Sequence, residues 1–277
     1  MSQPVTNAVP VCPRHPDRVA YVRCQRCDRP VCPSCQVPSA VGVRCIDCAR
    51  SATAARRPSR TMLGGTPTRS ATVTIGFIAA CVLVFLAQQV PGLEITVRLA
   101  FNPILAAAEP WRFLTTALLH GSPMHLAFNM FALWVVGSQL ESVLGRWRYL
   151  CLLLVSALGG STLIYLLSWP GSESWSTWTV GASGAVFGLF ATQFVVQRRF
   201  GRDTSAVLGL LVMNLVISFL GANISWQGHV GGMIAGAALA AVYAWAPRGK
   251  RTVVSVAGTV AITMLLVALV VVRAVLA

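Results

Sequence analysis

Residues 120–141 read HGSPMHLAFNMFALWVVGSQLE. Past a short polar entry holding two histidines, the stretch is mostly apolar for a length that crosses a bilayer, about 20 residues. It reads as a membrane helix with a chemically capable first turn. Working outward, segments of the same apolar kind recur at 72–90, 147–168, 180–198, 205–222, 228–246 and 252–272. With 123–143 they make seven candidate spans. Composition agrees, since 55% of the 277 residues are hydrophobic and 11% are charged. An ordinary soluble domain carries roughly 25% charged residues, so a single water-soluble globule is excluded. The expected fold class is an all-α polytopic membrane protein.

The net charge of +14 has a topological explanation ahead of a nucleic-acid one, because cytoplasmic loops collect Lys and Arg. The stretch before span 1 holds Arg50, Arg56, Arg57, Arg60 and Arg69. Arg146 and Arg148 follow span 2, Arg198, Arg199 and Arg202 follow span 4, and Arg248, Lys250 and Arg251 follow span 6. The alternate loops hold Arg98 and Arg112 offset by Glu94 and Glu109, then Glu173, then no charge. A cytoplasmic N-terminus and an extracytoplasmic C-terminus follow. The first apolar run starts near residue 72, too deep for a signal peptide, so residues 1–70 are expected to stay on the side of synthesis.

Intramembrane polar residues are costly and point to function. His120 and His125 open span 2, Ser183 lies near the start of span 4 in VGASGAVFG, and His229 opens span 6 in WQGHVGGMIAG. Spans 2, 4 and 6 run the same way, so their first turns share one depth. Each residue alone has a plainer reading: a Gly-flanked Ser packs helices, a lone His satisfies a hydrogen bond, and Asn129 clasps a neighbour. Their joint placement favours chemistry. Gly181, Gly184 and Gly188, with Gly228, Gly231, Gly232 and Gly236, form small-residue faces that let two helices approach closely. Close approach would carry the Ser183 hydroxyl to His229, whose imidazole activates a serine nucleophile. With no carboxylate in these first turns, a Ser183–His229 dyad is expected. His125 and Asn129, spaced i, i+4 on one face, and the Ser183 amide at a helix N-terminus are the expected oxyanion donors.

These residues resemble the rhomboid family of intramembrane serine proteases over about residues 72–246. The signatures are WRFLTTALLH with Trp111 and Arg112, HGSPMHLAFNM at 120–130, GASG at 181–184 and GHVGGMIAG at 228–236. The resemblance implies a six-helix core, here followed by one further helix (six plus one). It also implies cleavage of peptide bonds within or beside a substrate's transmembrane helix, by Ser183 as nucleophile and His229 as general base, with no metal or ATP in the chemistry. Many bacterial members carry Tyr four residues after the serine; Phe187 stands here and keeps the ring that stacks on the histidine. Glu141 and Arg112 read as structural, and Cys81 and Cys151 as buried apolar residues.

Seven of the nine cysteines lie in the first 48 residues, as C-x2-H-x8-C-x2-C-x4-C-x2-C-x9-C-x2-C. The candidate ligands are Cys12, His15, Cys24, Cys27, Cys32, Cys35, Cys45 and Cys48. Eight ligand-type residues in four x2 pairs suit two tetrahedral, structural zinc ions, and a reducing cytoplasm disfavours disulfides. The pattern resembles a B-box zinc finger, which would pair Cys12, His15, Cys32 and Cys35 in one site and the other four in the second; sequential pairing is also feasible. The expected domains are a small zinc-stabilised domain at 1–49, a basic flexible linker at 50–70, a protease core at 71–246, and a loop with the seventh helix at 247–277. The arginines of the first domain suit an anionic-lipid or acidic protein partner better than nucleic acid. An inactive rhomboid relative acting as a membrane binding protein or chaperone is the alternative. A transporter would need inverted repeats and broken helices at the midplane, which are not seen. The use of 21 Arg and one Lys points to a high-GC bacterium, hence a bacterial cell membrane, with transmembrane proteins as substrates.

Overall fold

The computed structural model describes residues 9–55, 60–68, 70–221 and 224–276. Two compact units appear, Met1–Pro58 and Ser59–Ala277. Arg56, Arg57 and Arg69 of the expected linker lie outside the described residues.

The first unit is built from two small hairpins. Strands β1 (Val11–Cys12) and β2 (His15–Val19) pair antiparallel, as do β3 (Gln36–Pro38) and β4 (Val43–Cys45). Helix α1 (Ile46–Ala54) follows β4, and the Cys45 side chain caps it by accepting from the Cys48 N–H. The core consists of Ala20, Val31 and five cysteines. The alanine-rich SATA at 51–54 continues α1, as the helix propensity of alanine favours. The expected linker is therefore helical at its start. Its later part packs into the second unit, where Leu63 is 2% exposed in the hydrophobic core.

The second unit is helical: α2 (Thr72–Gln88), α3 (Ile95–Leu99), α4 (Arg112–Thr115), α5 (Pro123–Ala132), α6 (Ser138–Leu144), α7 (Arg146–Leu167), α8 (Glu173–Ser176), α9 (Ser183–Arg199), α10 (Ser205–Leu220), α11 (Trp226–Trp245) and α12 (Arg251–Leu276). A π-helical stretch, Leu133–Gly137, joins α5 to α6. A helix thus occupies each of the seven apolar segments. Among the described residues four helices are long and apolar enough to cross a membrane: Pro123–Leu144, Arg146–Leu167, Trp226–Trp245 and Arg248–Leu276. Helices α2 and α10 are apolar but shorter, and α9 has 17 residues. Polarity in α9 has a physical reason. Ala185 through Thr192 are all buried, so the helix faces protein on every side over two turns.

Glycine brings the central helices together. A Cβ on Gly232 of α11 would overlap the Gly184 carbonyl of α9, and one on Gly236 would lie 2.5 Å from the Gly188 Cα. On α7, Gly159 and Gly160 meet the carbonyls of Gly231 and Gly228 in the same way. Gly231 thus faces α7, Gly232 and Gly236 face α9, and the Gly228 carbonyl lies between Gly160 of α7 and Gly184 of α9. Backbone cannot move aside as a flexible side chain can. Gly232→Val is therefore expected to cost about 3 kcal/mol, the upper range for overpacking. Gly209, with nothing within 4 Å of its Cβ position, should accept Val without loss. Thermal unfolding of both variants in detergent checks the contrast.

Polar groups fix the edges. Buried Glu141 accepts the N–H groups of Val73 (3.0 Å) and Thr74 (2.9 Å) and the Thr74 hydroxyl (2.9 Å), capping α2 with negative charge. Buried Arg112 donates to the carbonyls of Val97 (2.8 Å) and Ala100 (2.7 Å) and pairs with Glu109. Helix α12 is tied to α7 at both ends: Arg148 donates to the Ser255 hydroxyl at 3.0 Å, and Arg273 to the Ser168 carbonyl at 2.7 Å.

Candidate active site and metal clusters

The turn entering α9 is held on two sides. Phe101 and Thr179 exchange backbone hydrogen bonds at 3.0 and 2.8 Å. Thr116 donates its hydroxyl to the Thr179 carbonyl at 2.6 Å and accepts the Gly181 N–H on its own carbonyl at 3.0 Å. Gly181 then takes φ +135°, and a Cβ there would lie 2.7 Å from His125 Cε1. Only glycine meets both demands. Two residues later Ser183 begins α9, where the first N–H groups of a helix have no partner within it.

His229 lies in the first turn of α11, whose N-terminus is capped by Ser225 accepting the Gly228 N–H. Phe187 stacks on its ring at 4.2 Å between centroids, with 12° between planes. Ser183 and Phe187 are spaced i, i+4 and share a face of α9, so the serine side chain projects from the face that covers the imidazole. No hydrogen bond joins Ser183 to His229 here. Catalytic hydrogen bonds are often long in the free enzyme and tighten with substrate. His229 Nδ1 is instead 2.6 Å from the hydroxyl of Ser218 on α10.

Helix α5 brings the remaining residues. Ser122 caps it by accepting the His125 N–H, and Pro123 occupies the first turn, where no N–H is needed. The His125 imidazole lies over Gly181, two residues before Ser183. Asn129 donates to the His125 carbonyl at 2.9 Å, and among the described residues its second amide proton has no other partner. His120 is buried and meets His125 edge-on at 5.2 Å between centroids. The sequence pattern gives no sign of Ser218 beside His229 or of the Phe101–Thr116–Thr179 clamp. Neither has a local signal: one is a lone serine in an apolar run, the other a contact between distant segments.

In the first unit the possible ligand atoms of Cys12, His15, Cys32 and Cys35 lie within 4.8 Å of one another, as do those of Cys24, Cys27, Cys45 and Cys48. This is the interleaved grouping. It arises because the β1–β2 turn carries Cys12 and His15, while the 3₁₀ turn Pro33–Cys35 presents the second pair. Tetrahedral zinc with Zn–S bonds of about 2.3 Å sets an S···S edge of about 3.8 Å. Cys27 and Cys45 are separated by 3.8 Å, and His15 Nδ1 is 3.3 Å from Cys32 and 3.4 Å from Cys35. The donor sets and spacing fit zinc. Hydrogen bonding from the Cys32 backbone lowers the Cys12 thiol to about 6, whereas burial, then Cys12 and Cys32, raise Cys35 to about 11. Crowded thiols thus resist sharing negative charge until a cation enters. Arg29 donates to Cys27 Sγ at 3.3 Å, and Arg14 pairs with Asp47 at 2.6 Å, linking the loops of the two tetrads.

Comparison with known proteins places these features. The pattern of the rhomboid domain matches residues 107–246, and that of the B-box zinc finger matches residues 7–39. The chain is similar to the rhomboid protease GluP of Bacillus subtilis (strain 168), with 33% identity over 177 residues, covering 60% of this chain and 33% of that protein. The chain therefore spans about a third of the length of this curated relative.

Proposed function

The chain belongs to the rhomboid family, and on that premise we propose that it is an intramembrane serine endopeptidase acting on transmembrane protein substrates. The stacking of Phe187 on His229, across helices joined glycine to carbonyl, carries this reading. Ser183 attacks the scissile carbonyl while its proton passes to His229 Nε2. The oxyanion is met by the Ser183 N–H, with the positive end of α9 behind it, and by His125 and Asn129. His229 then returns the proton to the leaving amine, and a water activated by the same nitrogen hydrolyses the acyl-enzyme.

The two tetrads are read as one structural zinc each. Four protein ligands apiece leave no open position for catalysis, so the ions would fold the N-terminal unit. The protein is read as a multi-pass protein of a bacterial cell membrane, with a cytoplasmic N-terminus and extracytoplasmic C-terminus. The arginines of the zinc unit suit an acidic protein or anionic lipid.

The test is cleavage in reconstituted liposomes. Wild-type protein is incubated with a panel of single-span substrates and with a fluorophosphonate probe. Products cut near one membrane boundary, with the probe on Ser183, support the protease. Folded, metal-loaded protein that neither cuts nor labels would move the inactive binding protein ahead.

A further inference from the structure

The proposed reaction uses His229 Nε2 and leaves Nδ1 without a role. In serine proteases a carboxylate usually holds that nitrogen. Among the described residues, no hydrogen bond or ion pair joins an Asp or Glu to His229; its partner is Ser218, at 2.6 Å. The pair is shielded from solvent, with Ser218 2% exposed and His229 8% exposed.

The hydrogen-bond inventory fixes the direction of this contact. Ser218 Oγ also lies 2.7 Å from the Asn214 carbonyl, one turn earlier on α10. A hydroxyl has one proton, and a carbonyl oxygen only accepts. Both bonds form together in one way: Ser218 donates to Asn214 and accepts from Nδ1–H. The neutral ring then carries its lone pair on Nε2, the nitrogen a serine nucleophile needs. We propose that Ser218 is the positioning residue of this protease, holding His229 in the Nδ1–H tautomer where a triad uses a carboxylate.

Two further contacts fix the ring and the helix that supplies the hydroxyl. Phe187 covers the imidazole face, and Phe219, next to Ser218, stacks on Trp226 of α11 at 5.0 Å between centroids. The end of α10 is thereby held against the first turn of α11. In the reaction, the Ser183 proton moves to Nε2 and later to the leaving amine. Ser218 keeps its own proton throughout. Its oxygen receives the Nδ1–H of the transient imidazolium, whose charge is stabilised by the hydroxyl and carbonyl dipoles in series.

The inference rests on the dyad reading, and the experiment separates the two. Turnover of a single-span substrate in liposomes is measured for wild type, Ser218→Ala, Ser218→Thr and Ser218→Val, alongside the rate of fluorophosphonate labelling. Thr and Val have the same shape, so their difference reports the hydroxyl and not the packing. Ser218→Thr is expected to stay within about threefold of wild type. Ser218→Val and Ser218→Ala should lose about tenfold to 100-fold in kcat, with KM within about twofold, as for a lost buried hydrogen bond that orients a base. Labelling of Ser183, which needs no docked substrate helix, should slow in parallel. Equal activity of the Thr and Val variants, or wild-type rates in Ser218→Ala, overturns the role of Ser218 while leaving the protease intact. A wild type that neither cuts nor labels overturns both.

Discussion

Replacing Ser183 by alanine is expected to lower proteolysis by at least about 10⁴-fold and to abolish fluorophosphonate labelling, with the fold intact. Removing the nucleophile of a serine protease removes the covalent path, and what remains comes from oxyanion stabilisation and substrate binding alone. The N-cap of α9 is Ala182, not Ser183, so the Ser183 hydroxyl does not cap the helix and its loss costs α9 little. His229→Ala should fall equally far, although Ser183 remains, because the hydroxyl is a poor nucleophile without its base. The double variant should be no worse than either single one, since the pair acts as a unit. Single-turnover cleavage in liposomes, with thermal unfolding alongside, reads all three. A Ser183→Ala protein that still cuts with wild-type kinetics would show that another group carries the chemistry.

What could be read from the sequence, and what could not, divides along local and non-local lines. The turn chemistry around Ser183, the Gly-rich faces and the i, i+4 relation of His125 and Asn129 are short-range patterns with few structural solutions, so they were legible. The apolar length of each segment gave its helix but not its role. Helix α9 falls short of a lipid-facing span because Ala185–Thr192 are buried in protein, which no hydropathy count distinguishes from a weak span. Ser218 looks like any serine back-bonding to its own helix. Its meaning appears when α10 meets His229, 11 residues later in the chain. Leu63 resembles a linker residue, since its burial depends on a distant core. Among the cysteines, the spacing allowed interleaved or sequential pairing, and hairpin geometry decides between them.

Stripping metal from the protein is expected to unfold residues 9–55 as one unit. Apart from Ala20 and Val31, the buried core of this unit consists of Cys12, Cys24, Cys32, Cys35 and Cys45. These residues are all proposed ligands, so without a cation the core is a set of crowded thiols. A domain this small buries too little apolar surface to stand alone, whereas each structural zinc site supplies about 10–16 kcal/mol at neutral pH. The exposed Arg14–Asp47 pair, with side chains 44% and 43% accessible, is screened by water and cannot replace the metal. Chelation should therefore abolish amide-exchange protection at Cys24, Val31 and Cys45, whose N–H groups are hydrogen-bonded within the fold. The helices of the second unit should keep theirs, since their main core contains none of the eight ligands. Metal content should be two per chain and fall in Cys32→Ser, while Cys151→Ser, outside both tetrads, leaves it unchanged. Persistent protection of residues 9–55 in metal-free protein would show that the hairpins fold without zinc, and the tetrads would then need another explanation.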